Sequence, residues 1–141
     1  KLIEVCKTIR IVYGTESHEV NQYKSVFGYF ENDPDVDIKI IYTVSEEELF
    51  GMNILYLPEE YIQDKDEYYK EFFNKKKHYD YIFGHGVIAE VMSMVKRNKN
   101  KEKEKRLKPA IFTTADFKKC CRGEVYFGHY HIYSNINDNI F

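Results

Sequence analysis

Apolar runs in this 141-residue chain are short, and each stops at a glycine, a proline or a polar cluster. Ile9–Tyr13 ends at Gly14, Asn53–Leu57 at Pro58, Tyr79–Phe83 at Gly84 and Val125–Phe127 at Gly128. Runs rich in β-branched and aromatic residues and bounded in this way predict strands, and residues 37–43, 111–113 and 131–133 read the same way. Between them apolar residues recur at helical spacing: Val20, Tyr23, Val26, Phe27 and Phe30 in one stretch, Tyr68, Tyr69, Phe72 and Phe73 in another. Val87–Val95 is apolar enough for a buried helix, and a shorter helical piece fits Asp116–Cys120. Strands alternating with helices predict a layered α/β (α+β) domain.

With 43% hydrophobic residues the chain can bury one core, so residues 1–141 are read as a single domain. A formal net charge of −2 advertises no general affinity for nucleic acid or membrane. Any such surface has to be local, and Lys96–Lys108, with ten charged residues of which eight are Lys or Arg, is the candidate for gripping a DNA backbone. Its ordinary reading is a solvated loop. Cys6 and the adjacent Cys120 and Cys121 form no spaced disulfide or zinc pattern, and no apolar run approaches the roughly 18 to 20 residues that span a bilayer. The expectation is a soluble cytoplasmic protein.

Chemistry concentrates where strands stop. His85 stands in Phe83-Gly84-His85-Gly86, and His129 and His131 stand in Tyr126-Phe127-Gly128-His129-Tyr130-His131. A glycine before each block lets the backbone turn sharply, and neutral imidazole is a good donor to Zn, Mn or Fe. Histidines two apart alternate faces on a regular strand, but in a turn they can reach two adjacent metals. Ser17 beside His18 makes no serine-hydrolase dyad, because no nucleophile elbow surrounds it. Cys120 and Cys121 are read as structural, and His78 as an exposed loop residue.

The block at 127–131 resembles the closing G-H-x-H motif of the calcineurin-like metallophosphoesterases, and the block at 83–86 resembles their lone-His motif. Gly14–Glu19 (G-T-E-S-H-E), followed by Asn21 and Gln22, is similar to the third block of the phage-type and SbcD-like DNA exonucleases, and Asn53–Glu60 fits that branch too. The resemblance implies a partial metallophosphoesterase β-sandwich flanked by helices, the C-terminal portion of a catalytic domain whose D-x-H and G-D-x-x-D blocks lie before Lys1. It implies two divalent metal ions, Mn first with Fe, Zn or Mg as alternatives. One ion falls to His85 and His129 and the other to His131. Ser17 stands in place of a ligand asparagine and is a weaker donor. His18 takes the role of general acid near the scissile phosphate, Glu19 orients it, and Tyr130 is placed to stack on a base or sugar. DNA is the implied substrate. An SbcC-like ATPase partner and a homodimer fit the same branch, and no membrane is involved. Without the upstream ligands the 141 residues alone are expected to show little or no activity. A small phosphoester or cyclic nucleotide is the alternative substrate, and a non-catalytic scaffold that keeps the fold is the alternative class.

Overall fold

The computed structural model describes residues 2–19, 22–30, 33–94, 108–129, 136 and 139–141. In chain order the elements are α1 (Leu2–Val5), β1 (Thr8–Val12), α2 (Glu16–Glu19), α3 (Gln22–Phe27), β2 (Asp37–Ile41), β3 (Ser45–Leu49), β4 (Met52–Leu57) and β5 (Tyr61–Ile62). They continue with α4 (Lys65–Tyr68), α5 (Lys70–Phe73), β6 (Tyr79–His85), β7 (Val87–Ile88), α6 (Ala89–Met94), β8 (Lys108–Pro109), β9 (Ile111–Phe112), α7 (Thr114–Cys120) and β10 (Cys121–Gly128). The mixture of helices and several sheets makes the chain an α/β protein.

The central sheet has the order β10-β6-β4-β3, with β10, β6 and β4 mutually parallel and β3 antiparallel at one edge. At the other edge Ile140 bridges Val125 in parallel, and Phe127 donates to the Phe141 carbonyl at 2.9 Å. Alternation along the strands sends Leu55, Leu57, Ile82, Val125 and Phe127 to one face. Tyr69, Phe73, Phe112 and Phe117 pack there with Val91 and Cys120, forming the main apolar core. Parallel strands joined through segments on one face bury that face thoroughly. Burial pushes the Cys120 thiol up to about 12, so at neutral pH it is an inert protonated thiol, in keeping with a structural role.

The opposite face carries Tyr56, Phe83 and Tyr126 in a stacked row, with ring centroids 6.4 and 5.5 Å apart, and Phe141 continues it. The parallel pair β1–β2 stands over part of this face. Between them lies a cavity of about 460 Å³ lined by Val12, Met52, Ile54, Tyr56, Tyr81 and Phe83 among others. Arg10 crosses from β1 to β3, donating through Nε and Nη2 to the two oxygens of Glu47 at 2.7 and 2.8 Å.

Several boundaries differ from the sequence reading. The helix expected over 64–75 is two four-residue helices, because the chain turns at the fully buried Tyr69, whose hydroxyl reaches Glu60 at 3.0 Å. Val87 and Ile88 pair with Ile111 and Phe112 as a short strand before α6 begins. The expected helix over 20–30 is shorter, as α3 ends in a 3₁₀ turn at Gly28–Phe30. Residues 131–133, and all of Lys96–Lys108 except Lys108, lie outside the described residues. Among the described residues no helix is long and apolar enough to cross a membrane.

β3, which periodicity alone misses, is held by a two-residue hairpin turn to β4, with φ of 54° at Phe50 and 76° at Gly51. That geometry suits Asn-Gly; a phenylalanine there is strained, and this one is 77% exposed. Phe50→Asn is expected to raise stability by about 1 kcal/mol in urea denaturation. A loss of stability would mean that the ring's contact with the cavity below outweighs the backbone strain.

Candidate metal centre

Because β4, β6 and β10 run in parallel, their C-terminal ends lie side by side. Leu57 is level with Gly84, and His85 is level with Gly128. This is the edge of an α/β sheet where ligands are bound, outside the carboxyl ends of the strands. Three side chains converge there: Glu59 two residues past β4, His85 as the last residue of β6, and His129 just past β10. One potential ligand atom from each lies within 4.8 Å of the others.

Glu59 is the centre of the group. Its side chain is 2% exposed, and its backbone N–H donates to the Tyr13 carbonyl at 3.1 Å, tying the end of β1 to the end of β4. Its Oε2 lies 3.0 Å from His85 Nδ1 and 3.2 Å from His129 Nδ1, and accepts from the Thr15 hydroxyl at 3.0 Å. Its Oε1 accepts from the Tyr61 hydroxyl at 3.0 Å. Burial, and then the hydrogen bond to Glu59, push the Tyr61 phenol above its ordinary value, so it stays a protonated donor at neutral pH.

The two rings are 5.3 Å apart at 79°, so each approaches Glu59 from its own direction. The glycines ahead of them serve contacts as well as turns. A Cβ on Gly84 would strike the Phe127 ring, and one on Gly128 would press on His85 Cδ2 at 3.1 Å. His129 has φ of 141°, a conformation that side chains rarely adopt, and backbone strain of this kind clusters at functional sites. Beside the centre a cavity of about 650 Å³ is lined by Gly84 and Gly128 together with the apolar Val12, Phe83, Tyr126 and Phe141.

Two of the three histidines singled out by sequence are thus brought together, while His131 and Tyr130 lie outside the described residues. Ser17 is exposed on α2. His18 and Glu19 occupy the same short helix, and their side chains lie outside the described ones. The block that contains them does reach the centre, through Thr15. Glu59 is the member that sequence reasoning missed. Its signal was its place: a carboxylate just past a strand end, like the two histidines. Glu60, next to it, instead accepts from the Tyr68 and Tyr69 hydroxyls at 2.7 and 3.0 Å and anchors the helices.

Two imidazoles and a carboxylate are a donor set that divalent transition metals favour, so the residues present fit such an ion. Comparison of the chain with protein-family models, curated proteins and solved structures gave no match.

Proposed function

We propose that this protein is a metal-dependent phosphodiester hydrolase of the calcineurin-like metallophosphoesterase kind, acting on DNA. The observation that carries the reading is the meeting of His85 and His129, from two separate glycine-flanked strand ends, at one buried carboxylate. Those are the blocks whose order and composition resemble that family. Three free cysteines, two of them buried, fit the cytoplasmic placement in the same proposal.

In this reading His85 and His129 offer neutral nitrogen donors, and Thr15 and Tyr61 fix the orientation of the Glu59 carboxylate between them. A divalent cation, when bound, supplies charge neutralisation for a phosphoryl oxygen. The apolar cavity beside Gly84 and Gly128 gives the organic part of a phosphodiester a place that excludes water. His18 keeps its role as proton donor to the leaving oxygen, with Glu19 orienting it. His131 keeps its role toward a second ion, and a partner ATPase and DNA contacts from Lys96–Lys108 belong to the same proposal.

The test is hydrolysis of end-labelled linear DNA, beside the small diester bis(p-nitrophenyl) phosphate, by the polypeptide made from its complete reading frame. Cleavage of DNA that requires Mn²⁺ and stops on chelation is expected. Cleavage of the small diester alone would move the substrate to the small-phosphoester class. Metal binding with neither activity would favour the scaffold class.

A further inference from the structure

Three atoms crowd Oε2 of Glu59: Nδ1 of His85, Nδ1 of His129 and the Thr15 hydroxyl, at 3.0, 3.2 and 3.0 Å. The other carboxylate oxygen takes only the Tyr61 hydroxyl among the described residues. The side chain is 98% buried, yet among the described residues its ionic partners are the two imidazoles, with no Lys or Arg in reach. A buried carboxylate requires a compensating positive charge. A divalent cation held between this carboxylate and the two imidazoles would supply one.

We propose that Glu59 is the third protein ligand of a divalent transition-metal ion, bound together with His85 and His129 through their Nδ1 atoms. The inference rests on the metal reading above and deepens it, since that reading noted only that the three side chains fit an ion and did not name the binding atoms. Three observations carry it. Ligand bonds of about 2.0–2.1 Å set neighbouring donor atoms about 3.0 Å apart in an octahedron and about 3.3 Å apart in a tetrahedron. The observed 3.0 and 3.2 Å fall in that interval. The Cδ2–Nε2 edge of His85 lies against Gly128, where an added Cβ would come within 3.9 Å of Nε2, so the ring presents Nδ1 to the centre. Thr15 and Tyr61 hold one oxygen each, as outer hydrogen-bond donors hold a ligating carboxylate. Two nitrogens and one oxygen select Mn, Fe, Co or Zn over Mg and Ca.

The experiment is calorimetric and visible-absorption titration of metal-stripped protein with Co²⁺, with Zn²⁺ in competition, on wild type, Glu59→Gln, Tyr61→Phe, His85→Ala and His129→Ala. Circular dichroism checks that each is folded. Glu59→Gln is expected to weaken Co²⁺ at least about a hundredfold, and Tyr61→Phe about tenfold with the fold intact. Zn K-edge X-ray absorption on wild type is expected to show a light oxygen donor besides two imidazoles, and it needs no variant. If Glu59→Gln binds like wild type while both His→Ala variants lose the ion, Glu59 only hydrogen-bonds the rings. The inference then falls and the metal reading stands. If wild type binds no ion, both fall.

Discussion

If the proposed hydrolysis is correct, replacing His129 or His85 by alanine is expected to abolish it, with a loss of at least about 10³-fold in kcat/KM and retention of the fold. The expected size follows from the charge stabilisation a cation supplies at a phosphoryl oxygen, several kcal/mol, with each factor of ten in rate worth about 1.4 kcal/mol. The fold is expected to survive because neither ring belongs to the main core; their side chains are 24% and 26% exposed. His129 offers a sharper version of the test. Its φ of 141° suits glycine, so His129→Gly should be more stable than His129→Ala by about 1 kcal/mol while losing the activity equally. A position whose backbone favours glycine over alanine and yet carries a histidine is one where the side chain is retained for function. Steady-state kinetics and urea denaturation on the same preparations separate the two effects. Full activity in His129→Gly would remove its imidazole from the chemistry.

The second large effect belongs to Arg10. Its side chain is only 8% exposed, and its guanidinium grips both oxygens of Glu47 and also Asp37 Oδ2 at 2.7 Å, and donates to the Ile9 and Asp37 carbonyls. Glu47 further accepts from Lys39 at 2.7 Å and from the Tyr56 hydroxyl at 3.1 Å. This network fastens β1–β2 to the central sheet. Arg10→Ala leaves Glu47 without its main partner and is expected to cost about 3 kcal/mol at pH 7 by urea denaturation. The hydrogen bonds from Arg10 hold the Glu47 carboxyl down to about 2, against an ordinary value of 4.5. A carboxyl lowered on folding contributes stability that is full above its unfolded value and is lost as pH falls through its folded one. Wild type should therefore lose stability from about pH 5 toward pH 2, and Arg10→Ala should show a flatter profile over that window. Parallel profiles would show that the pair does not tie the sheets together.

How much of this was legible in the sequence depends on what each residue's neighbours supply. His85 and His129 announced themselves because an imidazole behind a glycine at a strand end is a local pattern, and parallel strands bring such ends together. Glu59 did not, since a glutamate after proline reads as surface. Its burial comes from the Tyr13 carbonyl and Thr15, both more than 40 positions away in the chain. β3 was hidden for a similar reason. Ser-Glu-Glu-Glu-Leu has low strand propensity, and it is a strand because the Phe50–Gly51 turn sets it against β4 and Glu47 finds Arg10. The break at Tyr69 depends on the Glu60 carboxylate, which a helical period cannot reveal.

Anomalous diffraction from crystals soaked in Mn²⁺ and recorded across the Mn edge locates the ion without reference to activity. A peak about 2.0–2.2 Å from Nδ1 of His85, Nδ1 of His129 and Oε2 of Glu59 is the expected result. Peaks only elsewhere on the molecule, with those three side chains still hydrogen-bonded to one another at saturating metal, would contradict it.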